Sequence, residues 1–105
     1  MLGEFEQLVL LAILRAEDDA YGVTIRHAIV AESRRDVSLA AVYKTLARLE
    51  EKGLVIARVG EPTAERGGRR KRYYALSAPG RRALRQSIDV VRRMARGLGL
   101  GLEPS

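Results

Sequence analysis

The chain has 105 residues, 47% of them hydrophobic and 30% charged, a globular composition long enough for one modest core. Lysine and arginine number 19 against 13 acidic residues, a formal charge of +6 that favours an anionic partner, nucleic acid first and an anionic membrane as rival. Cysteine is absent and histidine occurs once, which excludes disulfides, thiolate catalysis and sulfur-based zinc sites.

The longest apolar run, Leu8 to Leu14, falls well short of the ~20 residues that cross a bilayer. Glu4 and Glu6 stand where a signal peptide would carry basic residues. The expectation is a cytoplasmic protein with no membrane partner.

Residues 4–16 read as the first helix. Phe5, Leu8, Val9, Leu11 and Ala12 leave it almost no polar face, so it should be buried on most sides, in the core or against a second subunit. After the polar break Glu17-Asp18-Asp19, Tyr21-Gly22 opens a second helix running to about Ser33. His27, lacking a second histidine or a cysteine, reads as a surface or helix-edge residue.

Arg34 to Val37 form a short joint, and Ser38 is placed to cap a third helix that Gly53 ends. On that helix Leu39, Val42, Leu46 and Leu49 recur at helical spacing and form an apolar stripe. Ala40, Ala41, Lys44, Thr45 and Arg48 are expected on the other side, a small and cationic face suited to a polyanion. Two helices, a short joint and an amphipathic third describe a helix-turn-helix.

The period then changes. Residues 54–59 and 69–76 read as two strands of a hairpin with a long tip rich in glycine and turn formers. Arg66, Arg69, Arg70, Lys71 and Arg72 place five cations on the tip and the return strand. They suit phosphate contact, and the neighbouring Gly67 and Gly68 allow close backbone approach. Tyr73 and Tyr74 should point to opposite faces, one towards the core.

Ser77 caps the last helix, with Pro79 in its first turn. Leu84, Ile88, Val91, Ala95 and Leu98 make a heptad-like seam among arginines, which needs a partner helix from this chain or from a second copy. With Phe5 and Leu8 they are the candidate dimer contacts. Residues 1–77 are thus expected to form a winged helix-turn-helix, 78–98 a dimerisation helix and 99–105 a tail. The fold class is mainly α with a small β-hairpin.

At this point the chain resembles the PadR-like transcriptional regulators along nearly its whole length. The resemblance rests on Leu2-Gly3-Glu4-Phe5-Glu6, Tyr21-Gly22, Val37 to Tyr43, Leu46 to Val55, Lys71-Arg72-Tyr73-Tyr74 and Leu76 to Leu84. It implies a homodimeric bacterial repressor that is cytoplasmic and nucleoid-associated and binds double-stranded DNA at a pseudo-palindromic operator. Carried over by position, Ser38, Ala40, Tyr43, Lys44 and Arg48 would face the DNA, with Arg66, Arg69, Arg70 and Lys71 on the wing. Ala41, small enough for groove entry, joins them on physical grounds. One C-terminal helix, where larger members have several, marks the short subgroup and puts a roomy effector pocket in doubt. The other reading is a dimeric protein-interaction module whose basic wing binds an acidic partner. No acid–base or nucleophile constellation is evident, so neither an enzyme nor a cofactor is expected.

Overall fold

The computed structural model describes residues 2–61 and 70–101. Helix α1 spans Glu4–Ala16, and a 3-10 turn, Glu17–Asp19, follows. Helices α2 (Gly22–Ser33) and α3 (Leu39–Glu51) come next. Strands β1 (Val55–Val59) and β2 (Arg72–Leu76) then pair antiparallel, with Val55 opposite Leu76 and Val59 opposite Arg72. Helix α4 (Ala78–Ala95) closes the order. Three helices, a hairpin and a final helix form a winged helix-turn-helix.

The core lies where α1, α2 and α3 meet under the hairpin. Val9, Leu10, Ile25, Val42, Leu46 and Leu49 are fully buried there, and Tyr74 and Leu76 cover them from β2. Helix α1 is therefore a central core helix. Phe5, Leu8 and Leu11 are half-buried and pack on this chain's own core, and Leu14 is the one large hydrophobic residue of α1 that is exposed. Backbone N–H of Tyr74 also donates to the Ala20 carbonyl at 2.8 Å, which laces the hairpin to the entry of α2.

Local chemistry explains the joints. Arg34 takes a left-handed conformation (φ 58°) to end α2, and Arg26 Nε donates to the Val37 carbonyl at 2.6 Å, holding the connection to α3. Ser38 Oγ accepts from the Ala41 N–H at 3.0 Å, so the expected cap is present. At the far end Gly53 has φ +73°, and Leu54 N–H reaches back to the Leu49 carbonyl. This is a Schellman-type stop, which favours glycine at the left-handed position. Leu54 thus belongs to the turn, and β1 begins one residue later than the β-branched run alone implies. The return strand begins at Arg72, three residues later than expected.

Among the described residues Glu6 is the buried charge. Its carboxylate accepts from the Gly3 N–H at 2.9 Å and from Lys52 Nζ at 2.7 Å, tying the start of α1 to the end of α3. Lys52, ahead of the opposing effect of burial, holds the Glu6 carboxyl below its ordinary value of 4.5. A depressed carboxylate contributes stability that is present above the ordinary pKa and lost as pH falls through the folded one. Glu6→Gln should cost about 1–2 kcal/mol at neutral pH. In urea denaturation series the gap between parent and variant should narrow as pH drops below 4.5. A gap independent of pH would show that the ion pair contributes nothing.

Helix α4 ends earlier than the apolar seam suggests, because Arg96 turns to an extended conformation (ψ 133°). The seam itself is divided. Leu84 is 4% exposed and packs in this chain's own core. Ile88 packs half-buried on the same core, and Ala95 is buried. Val91 and Leu98 are exposed, and so are Met94 and Leu100, which the heptad spacing passed over.

Candidate nucleic-acid interface

The amphipathic third helix sorts its side chains much as its spacing predicts, with one exchange. Thr45, expected on the cationic face, is 7% exposed, because it falls three residues after Val42 and four before Leu49 on the core stripe. Ala47 takes its place outside. The outward stripe is Ala40, Tyr43, Lys44, Ala47 and Arg48, all exposed, with Ala41 half-buried at its edge against the core. Neither Lys44 nor Arg48 has an ion-pair partner among the described residues. Ser38 stands exposed at the N-terminus of this stripe. Its oxygen accepts the capping bond, which leaves its O–H free to donate.

Tyr43 unites two elements. A Cβ on Gly22 would come within 2.5 Å of the Tyr43 ring and hydroxyl, so the ring lies directly on the bare backbone that opens α2. Tyr43 is nevertheless 46% exposed. Core-edge packing and an outward hydroxyl are therefore properties of the same side chain. This contact also gives the Tyr21-Gly22 pair a structural reason: any larger residue at position 22 pushes the α3 tyrosine away.

The entry to α2 continues into the base of the wing. Thr24 Oγ1 accepts from the Tyr21 N–H at 3.0 Å and donates to the Asp19 carbonyl, fixing the corner. Tyr21 and Tyr73 meet edge to face with centroids 5.8 Å apart. Lys71 Nζ sits 4.4 Å from the Tyr21 ring centre, and the Arg58 guanidinium 4.6 Å from that of Tyr73. The Tyr21 side chain holds the Lys71 pKa above its ordinary 10.5, so the ammonium stays charged. Tyr74 is the tyrosine that faces the core, as strand alternation requires.

The wing cations have unequal roles. Arg70 is exposed and, among the described residues, unpaired. Arg72 donates to Glu50 at 2.7 Å, and that pair joins β2 to the end of α3. Charge spent on Glu50 is not offered to a polyanion. Arg66 and Arg69 lie outside the described residues. His27 is exposed, and no group of three or more His, Cys, Asp or Glu among the described residues could hold a metal ion. No described helix is long and apolar enough to cross a membrane.

The Ser38–Arg48 face, the Tyr21-Gly22 corner and Lys71 therefore form one continuous surface of small, hydroxyl-bearing and cationic groups. Carboxylates lie at its edges: Asp19 beside Tyr21, Asp36 just ahead of Ser38, and Glu50 and Glu51 at the far end of α3.

Solved structures with this architecture are many. A transcriptional regulator from Clostridium thermocellum is 20% identical, superposes with a TM-score of 0.70 and shares 93% of this chain and 92% of its own. A PadR-like transcriptional regulator from Bacillus cereus is 23% identical, with a TM-score of 0.67 and 92% of each chain covered. A PadR family transcription regulator from Clostridium difficile is 23% identical with a TM-score of 0.64, covering 90% of this chain and 97% of that one. At such identities the likeness shows the fold. No curated protein matches the chain. The family model of the PadR-like transcriptional regulators matches residues 10–86, a span from the middle of α1 through the wing into α4. The chain belongs to the PadR-like family of transcriptional regulators.

Proposed function

We propose that the protein is a homodimeric repressor that reads double-stranded DNA with α3 and grips its backbone with the wing. The observation that carries this reading is the α3 face, where Ala40, Tyr43, Lys44, Ala47 and Arg48 are exposed and both cations are without an ion-pair partner among the described residues. An arginine fork matches guanine O6 and N7, and alanine can touch a thymine methyl. The hydroxyls of Ser38 and Tyr43 suit phosphate oxygens, as do Arg70, Lys71 and, by sequence, Arg66 and Arg69. Two copies related by a two-fold axis would set their α3 helices ~34 Å apart on a pseudo-palindromic operator. Repression follows from occupying a promoter.

A dimer is supported by the last part of the chain, where Val91, Met94, Leu98 and Leu100 are 50–76% exposed on or just beyond α4. Exposed apolar patches of this kind mark interaction surfaces. The Met94→Glu/Leu98→Glu double variant should therefore be a monomer by light scattering at concentrations where the parent has twice the chain mass. Parent and variant of equal mass would overturn this assembly. A small-molecule effector would find an open groove of about 520 Å³ whose lining includes Leu2, Leu54, Ala83 and Val90 with the polar Lys52 and Gln86.

Gel shifts with DNA from the protein's own promoter region, against a scrambled duplex, test the reading. Preference for the promoter is expected. Equal binding to both duplexes, with no dependence on α3, is what the protein-interaction module with a basic wing predicts, and it would overturn sequence-specific regulation.

A further inference from the structure

We infer that Tyr21 and Tyr73 are positioning residues, an aromatic clasp between the entry of α2 and the base of the wing that aims Lys71 and Arg58 at the DNA backbone. This rests on the DNA-binding reading above and extends it to Tyr21, Tyr73 and Arg58, which that reading does not use.

The wing is a two-stranded hairpin, which has little stability of its own and must be oriented by its neighbours. Its inner face is held by Val55, Tyr74 and Leu76 in the core. Its outer face carries Arg58, Tyr73 and, two residues earlier on the chain, Lys71; Arg58 and Tyr73 are directly opposite in the register. On that face the Tyr21–Tyr73 edge-to-face pair is the ring-to-ring contact to the helical body. Space for it is reserved, because a Cβ on Gly60 would lie 2.5 Å from the Tyr73 ring.

Each ring carries one cation. Lys71 lies over Tyr21 and Arg58 over Tyr73. Neither cation has an ion-pair partner among the described residues, although Arg58 also donates weakly to the Asp18 carbonyl at 3.4 Å. A ring fixes the position of a cation and leaves its charge unneutralised, in contrast to Glu50, which neutralises Arg72. The clasp thus presents charge in a set direction. It bears on affinity and salt dependence and leaves the choice of sequence to α3.

A double-mutant cycle on promoter DNA tests this. Lys71→Ala should weaken binding about 5-fold in the parent and, with one Lys71 lost from each subunit of the dimer, lower the salt slope by about two contacts. In a Tyr21→Leu background the same change should cost less than about 2-fold, because the ammonium is no longer aimed. Tyr21→Phe and Tyr73→Phe keep the rings and should bind as the parent does, whereas Tyr73→Leu should bind more weakly. An equal cost of Lys71→Ala in both backgrounds, no cost in the parent, or Phe variants as weak as Leu variants would each overturn the clasp. Should the leucine variants fail to fold, the ε-methylene protons of Lys71 decide in the parent without DNA. An upfield ring-current shift is expected, and random-coil values would overturn the placement. Absent promoter preference in the parent would instead sink the DNA-binding reading, so the two failures are distinguishable.

Discussion

The Lys44→Ala/Arg48→Ala double variant is expected to bind operator DNA about 1000-fold more weakly than the parent, taking roughly 1 kcal/mol for each of the four side chains lost from a dimer. Both residues are exposed and, among the described residues, without a hydrogen-bond or ion-pair partner, so the urea midpoint should stay close to the parent's. The same titrations separate two roles. A side chain on a phosphate lowers affinity for every sequence and reduces the salt slope by about one per contact. A side chain on a base edge lowers the preference for promoter over scrambled DNA and leaves the slope nearly unchanged. Arg48 has the geometry for base contact and Lys44 suits either role. Parent-like binding by the folded double variant would remove α3 as the reading element.

Gly80→Ala is expected to destabilise the fold by roughly 3 kcal/mol, with a fall in melting temperature of about 15 °C. A Cβ at this position would stand 1.9 Å from the Leu54 carbonyl oxygen, which is backbone and cannot rotate aside. That carbonyl is also committed, since it accepts from Ser77 N–H at 3.1 Å. Ser77 Oγ accepts from the Gly80 N–H and donates to the Gly53 carbonyl at 2.6 Å. One glycine thus lets the first turn of α4 seat on the turn that ends α3, and the loss should appear in both thermal and urea unfolding. Gly3→Ala is the control. Its added Cβ meets nothing closer than 3.6 Å and should cost less than about 1 kcal/mol. Equal melting temperatures for parent and Gly80→Ala would mean that α4 docks differently from the arrangement described.

Much of the architecture is local and hence legible in the chain. Helix α1 falls on the residues its apolar run marks, Ser38 and Ser77 cap where their hydroxyls can reach a free N–H, and Gly53 stops α3. Those signals act over three to five residues and need no knowledge of the rest of the fold. The cationic face of α3 was visible for the same reason, since helical spacing assigns sides. Its one misplacement, Thr45, came from treating a polar residue as an outward one. Polarity does not decide burial when the stripe on either side is core.

Contacts between distant segments were not legible. Nothing in the spacing pairs Glu6 with Lys52 or Glu50 with Arg72, because each pair joins elements whose relative placement the core sets. Leu84 and Val91 occupy equivalent positions in one seam, yet the body of the protein covers the first and leaves the second exposed. A heptad pattern states that a helix has an apolar side; only packing decides how far along that side the chain's own core extends. The glycines make the same point. Gly22 and Gly80 read as punctuation at helix starts, whereas in the fold each is the site where another segment comes too close for a Cβ. Local sequence therefore determined which residues form the helices and which face of α3 is cationic. Tertiary structure alone decided which cations remain unpaired beside it, because pairing depends on distances that only the closed core establishes.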